Sequence, residues 1–311
     1  MASIFHALNT GTWRTPASWL ENSGYPVAGD TVIFGAGFTG KITLGEANAC
    51  AILDLSNNAG TLAFGTSILT VSALATLKGN LTSTTGYLAV AGGVTLVGNC
   101  TGTFNMLSLY AGQTLTSNGY TWPFATRVVS PASGITLVGD WVNNGLFSFT
   151  SGTPFINKTT TEALILHGGL SVGANTGAGN AVLQLTGTWS GSGRLQHALN
   201  FAGNSIVSGT VSIQNSTITK SAGVTVQTTG STLNIVINSS NTLNTPLTEM
   251  VWNNINITNT AATLTLTSPI ICVGNFTTIT GSTSYTTTNV RLSQSGSTIT
   301  ITPNNTGLFI Q

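Results

Sequence analysis

Seven carboxylates are the side chains best suited to acid–base chemistry: Glu21, Asp30, Glu46, Asp54, Asp140, Glu162 and Glu249. Cleaving a glycosidic bond takes two carboxyls that flank it, one protonated to serve the leaving group and one ionised as nucleophile or base. No D-x-D, D-D or E-x-D arrangement supplies such a pair along the chain. Two pairs, Asp140 with Glu162 and Glu21 with Glu46, are spaced by something close to a structural repeat. Stacking of one repeat on the next would bring either pair together. With seven acids, coincidence produces such spacings readily, so polysaccharide cleavage stands as an alternative reading that needs Asp140, Glu162 or Glu249.

The other reactive side chains are scattered. His6, His167 and His197 have no carboxylate or cysteine beside them in sequence, and neither H-E-x-x-H nor H-x-H occurs, so no metal site is expected. Cys50, Cys100 and Cys272 are odd in number, far apart and free of any C-x-x-C spacing. They read as small buried hydrophobes in strands. The stretch GTWSGSGR (187–194) has the letters of a nucleophile turn without the strand-to-helix setting that such a turn requires. No Gly-Lys-Ser/Thr loop is present. The sequence thus predicts no catalytic residue, no cofactor and no metal.

Composition narrows the partners. Only 5% of residues are charged and the net charge is +1. The eight basic residues are dispersed, so the clustered Lys and Arg of a nucleic-acid groove are missing. Hydrophobic residues make up 41%, which together with low net charge argues for a folded chain rather than a disordered one. The opening MASIFHALNTGTW lacks a charged segment followed by an apolar one, so no secretory signal is expected. No apolar run reaches the ~18–20 residues of a membrane helix, and no membrane insertion is expected.

The elements that would position these residues are strands. ILTVSALATLKGNLTS (68–83), STLNIVINSS (231–240), ATLTLTS (262–268) and STITITP (297–303) alternate apolar side chains with Thr, Ser or Asn, which is the period-two signal of a half-buried strand. Helical stripes are hard to find, and Lys, Glu and Met are scarce. Similar phrases return at 53–83 and 255–281, and Gly-Asn recurs at 79–80, 98–99, 179–180, 203–204 and 274–275. Gly and Asn tolerate left-handed backbone, so these pairs are expected at the corners of stacked turns. The fold class predicted is all-β, a right-handed parallel β-solenoid of short strands, with a β-sandwich assembly as the alternative. A turn of about 25–30 residues would give on the order of ten turns.

Residues 11–34, GTWRTPASWLENSGYPVAGDTVIF, hold two of the six Trp, two of the eight Pro and three charges, whereas 35–121 has neither Trp nor Pro. A solenoid's open end templates aggregation and needs a cover. The segment 1–34 is therefore expected to be a cap built on Trp13, Trp19, Pro26 and Asp30, with Pro16 also blocking further pairing. Residues 35–118 are expected to form a first stack, 119–160 an aromatic and Pro-rich break, and 161–311 a second stack. The break concentrates Trp122 and Trp141, and an island at 244–257 holds Pro246, Glu249, Met250 and Trp252. Aromatic surfaces recur at interface hot spots, so Trp122, Trp141 and Trp252 are the candidate binding surface beside a structural reading of the same residues. The end NNTGLFIQ has no obvious cap and suggests a partner there.

The pattern GTW…ASW…P-x-AGDTVIF, followed by LDL…GTLAFGTSILTVSA-x-ATLKGNLT, resembles repetitive, Trp-capped β-solenoid proteins of bacteriophage virions. It is similar in style to autotransporter-type bacterial exoproteins as well. The likeness implies a structural or adhesive protein and carries over no catalytic residue. The function expected is a non-enzymatic virion component, a capsid decoration or a tail or head appendage, with host-surface binding and a host glycan as a further partner. Self-association as a homotrimer is implied by the likeness alone. The alternatives are a bacterial surface adhesin and a polysaccharide-cleaving tailspike.

Overall fold

The computed structural model describes residues 2–301 apart from 22, 111, 131–133, 215, 229, 238–240, 244–250, 260–263, 267–269, 281–282 and 293–298. Pro246, Glu249, Met250 and the end NNTGLFIQ lie outside the described residues. The chain is a parallel β-solenoid. Among the described residues there is no α-helix, and the one 3₁₀ turn is Pro16–Ser18. β-Branched residues alternating with small polar ones suit a pleated surface and offer nothing to a helix.

Two compact units divide the chain, residues 1–147 with 156–165, and 148–155 with 166–311. In the first, one inward position stacks from turn to turn as Phe5, Val32, Leu53, Ala75, Val94, Leu115 and Leu137, all of them buried. The neighbouring outward position runs Asp54, Thr76, Thr95 and Thr116. The alternation read in the sequence is thus the division between core and solvent. In the second unit Leu195, Ile213, Ile235 and Ile257 stack inward. Beside them Ser212, Asn234 and Asn256 form a polar ladder, in which Asn234 Nδ2 donates to Ser212 Oγ (3.3 Å) and Asn256 Nδ2 to Asn234 Oδ1 (2.8 Å).

The turn is shorter than the composition suggested. Successive partners in the ladder are Ile68 and Tyr87, Met106 and Ala125, Thr31 and Ile52, and Thr114 and Thr136. A turn therefore takes roughly 20 residues, at the short end of the range for stacked repeats. The first turn is the exception: Ile4 waits until Thr31 for its partner, and Gly11 until Ile42. Described strands of the aromatic segment join the ladder: Ala125–Ser130 pairs in register with Met106–Tyr110, and Thr121–Trp122 with Trp141–Asn143. Its Trp and Phe fill the core instead of leaving it. The chain passes between the two units at 147/148, 155/156 and 165/166.

Gly-Asn pairs also play a different part from the one expected. Of those described within strands, only Gly79 takes left-handed backbone (φ 87°), at a register shift inside Ile68–Ser83. At Gly203 a Cβ would strike the β-branched Thr186 of the preceding turn, and at Gly98 it would press on the stem of Lys78. The Asn that follows can then tie turns together, as Asn204 Oδ1 does by accepting from Thr225 N (3.0 Å). Left-handed corners fall elsewhere, for example at Asn118–Gly119.

Candidate functional site

The six described carboxylates are each engaged by a neighbour. Asp30 is buried and accepts Ser3 N and Val27 N (2.8 and 2.9 Å), while Asp54 accepts Ser56 N (2.8 Å). Glu21 takes the His6 ring at 2.7 Å and His6 N at 2.9 Å, whereas Glu46 pairs with Arg14 at 2.8 Å. The interval from Glu21 to Glu46 therefore places these two acids in separate ion pairs. The interval from Asp140 to Glu162 does match one turn: Asp140 Oδ1 accepts the N–H of Ala163, the residue after Glu162 (2.8 Å). Glu162 itself accepts Thr159 Oγ1 and Thr160 N at 2.5 and 2.6 Å, bonds that hold its carboxyl down at about 2. A general acid needs the opposite shift. Asp140 lines a groove of about 530 Å³ whose other walls include Asn118, Val138, Val142 and Ile165.

The expected cap residues converge on the first turn. Trp13 and Trp19 are fully buried with rings edge to face at 5.3 Å, and Trp19 meets Phe5 and Phe34 in the same way. Trp13 Nε1 donates to Pro26 O (3.0 Å) and Trp19 Nε1 to Trp13 O (2.8 Å), so neither indole N–H is left orphaned. The 3₁₀ turn beginning at Pro16 folds the chain back, and Trp19 bridges antiparallel to Ala7. Leu20 N then donates to His6 O and Leu8 N to Ser18 O, both at 2.9 Å. The free side of strand Ile4–His6 is thereby covered at its His6 end.

The indoles chosen as a binding surface face inward. Trp122, Trp141 and Trp252 are all 0% exposed, because their strand positions have inward parity. Trp122 packs edge to face on Phe124 (5.2 Å) and Phe104 (6.2 Å). Cys50 and Cys100 are buried too, and burial pushes each thiol up to about 12, with Asp30's charge adding to the effect at Cys50. Such thiols are poor nucleophiles. Cys272 lies on strand Ile270–Thr280 and its side chain is outside the described set. Among the described residues no three His, Cys, Asp or Glu cluster as metal ligands would, and no helix is long and apolar enough to cross a membrane.

What faces outward in the first unit is a different aromatic set. On strand Met106–Tyr110, Leu107 and Leu109 point into the core, so Met106, Ser108 and Tyr110 point out. The turns on either side place Tyr87 beside Met106 and Arg127 beside Ser108. Arg127 reaches back across Ser108: its Nε and Nη2 both donate to Ser108 Oγ at 3.2 Å, and its guanidinium lies 4.8 Å over the Tyr87 ring. Ser108 is sealed beneath it, while Tyr110 remains 36% exposed. Tyr87, Ser108 and Tyr110 carried no distinguishing motif; the parity of strands 87–90 and 106–110 is the signal that could have found them.

No protein-family model, no curated protein and no solved structure matches this chain. Chemically, the geometry offers one fixed guanidinium among hydroxyls and tyrosine rings, a surface suited to holding an anion and ill suited to moving protons.

Proposed function

We propose that the chain is a non-enzymatic structural protein of a bacteriophage virion, a capsid decoration or a head or tail appendage, self-associating and docked on another virion protein. The observation that carries the non-enzymatic part is the engagement of all six described carboxylates by backbone N–H groups, hydroxyls or ion-pair partners. The one pair spaced by a full turn contains a carboxyl held at about 2 rather than raised. A stack whose backbone is paired from turn to turn is rigid, and its resemblance to virion solenoids supplies the setting.

The test is the native mass of the purified chain by light scattering after size exclusion, repeated after heat and detergent. A trimer that resists both agrees with an appendage. A monomer at all concentrations overturns self-association. Release of reducing sugar ends from a bacterial polysaccharide, abolished by Asp140→Asn, would overturn the non-enzymatic reading.

A further inference from the structure

We propose that the outward face formed by Tyr87, Ser108, Tyr110 and Arg127 binds an acidic oligosaccharide. In this arrangement the Nη1–Nη2 edge of Arg127 holds a sugar carboxylate and Tyr110 supports a sugar ring. The proposal deepens the appendage reading by naming what its surface recognises, and it rests on that reading only for its setting.

Three features point to this ligand. First, no ion pair joins Arg127 to a carboxylate among the described residues, whereas Arg14 is paired with Glu46. A half-buried guanidinium without a counter-ion favours an incoming anion, and its planar fork suits a carboxylate. Second, the group is held ready. Ser108 Oγ takes the Nε and Nη2 protons and Tyr87 supports the plane, so little side-chain freedom is lost when the remaining edge is engaged. Third, the surroundings favour a sugar over a peptide. Strand Met106–Tyr110 is paired on both sides, to Tyr87–Val90 and Ala125–Ser130, so no edge is open for an added strand. The column leading to Arg127 is Thr70, Ala89 and Ser108, all small, with hydroxyls at Thr70 and Ser108. Strands about 4.8 Å apart offer a step comparable with one pyranose ring along an extended chain. A lone cation also suits a polymer with one charge per ring better than free phosphate, whose sites gather several donors.

The experiment is isothermal titration of the full chain with hexagalacturonate, beside a neutral hexasaccharide, inorganic phosphate and a poly-glutamate peptide. Hexagalacturonate is expected to bind, the neutral sugar to bind at least tenfold more weakly, and phosphate and peptide not to compete. Arg127→Gln should weaken binding at least tenfold and Arg127→Lys by less. Ser108→Ala, which frees the guanidinium while keeping its charge, should weaken it a few-fold. Circular dichroism and the thermal midpoint report whether each variant folds; if Arg127→Gln does not, Tyr110→Ala, also expected to weaken binding, carries the test. No binding of hexagalacturonate, or equal binding by the folded Gln variant, overturns the proposal. Equal binding of poly-glutamate overturns the sugar assignment, and displacement by phosphate alone reduces the face to a small-anion site. Native mass reports assembly and this titration reports one face, so the two readings fail separately.

Discussion

The two ends of the parallel stacking are closed by different means. At the N-terminal end the first turn, from Ile4 to Thr31, is longer than those after it, such as Ile68 to Tyr87 or Thr114 to Thr136. The surplus folds back across strand Ile4–His6. Closure there adds a side-chain plug to the backbone bonds of Leu8 and Leu20: two buried indoles, Phe5 and Phe34 around them, and each indole N–H on a carbonyl. At the other end the strand Ile270–Thr280, which continues the parallel ladder from Asn254–Asn259, pairs antiparallel with Thr283–Leu292. A reversal of direction puts a hairpin where the next parallel turn would sit. The hazard is the same at both ends, a row of unpaired N–H and C=O groups. One solution adds a large buried aromatic plug to a folded-back segment, and the other pairs a strand of reversed direction.

The comparison breaks most visibly at Trp19. Trp19→Ala removes a fully buried indole, leaves Trp13 O without its donor, and empties the space between Trp13, Phe5 and Phe34. Large-to-small changes of this kind cost about 3–5 kcal/mol. The expected outcome in urea unfolding is a loss of that size. Light scattering should also show concentration-dependent association, since the covered side of Ile4–His6 would open. A variant that loses stability yet keeps the native mass of the unsubstituted chain would mean that the fold-back segment Ser18–Leu20 covers the edge without its plug.

The hairpin end is expected to be less costly to disturb. Successive residues of an antiparallel strand alternate between bonded and unbonded N–H groups, so Thr286→Pro with Thr287→Pro removes at least one bond to Phe276 or Thr277. An orphaned backbone partner costs about 1–3 kcal/mol. Limited proteolysis should then begin beyond residue 270 while the N-terminal turns stay resistant. Cleavage that starts in the first turn instead would contradict independent closure of the two ends.

The same contrast explains what could be read from the chain beforehand. Trp13, Trp19, Pro16 and Pro26 mark the N-terminal end because large aromatic and ring-locked residues stand out in a Thr- and Asn-rich background. TSYTTTNV at the other end reads like any internal strand, since antiparallel and parallel strands share one alternation, and nothing in its composition announced a hairpin. The solenoid class followed from period two and recurring phrases, but turn length did not, because a bend inside a strand such as Gly79 leaves no break in the pattern. Trp122 and Trp141 misled for a physical reason. A tryptophan's size draws attention, whereas strand parity decides which face it takes, and both fall on inward positions. Parity also hid the exposed face: Ser108 and Tyr110 alternate with Leu107 and Leu109 in a strand with no unusual residue. Arg127 was visible, but its partners Ser108 and Tyr87 lie one and two turns earlier, and only the register brings them under it.

Acid should separate the two ends by a smaller margin. Beyond Glu162 the sequence holds a single carboxylate, Glu249, and none follows it, so acid sensitivity belongs mainly to the first unit. There, burial pushes Glu21 up, but the bonds from the His6 ring and backbone outweigh it and leave the carboxyl below its ordinary 4.5. Hydrogen bonds from Thr159 and Thr160 hold Glu162 lower still, at about 2. A carboxyl whose folded pKa lies below its unfolded one lends stability above the unfolded value and loses it as pH falls through the folded one. Thermal unfolding of the first unit should therefore weaken progressively from about pH 4.5 toward pH 2, while the region beyond residue 166 changes less. Glu21→Gln should flatten the upper part of that slope and Glu162→Gln the lower part. At Glu21, whose partners are partly solvated, the change is of the order of the ~0.2–1 kcal/mol typical of exposed pairs. A slope untouched by either substitution would overturn the assignment of the acid-sensitive step to Glu21 and Glu162.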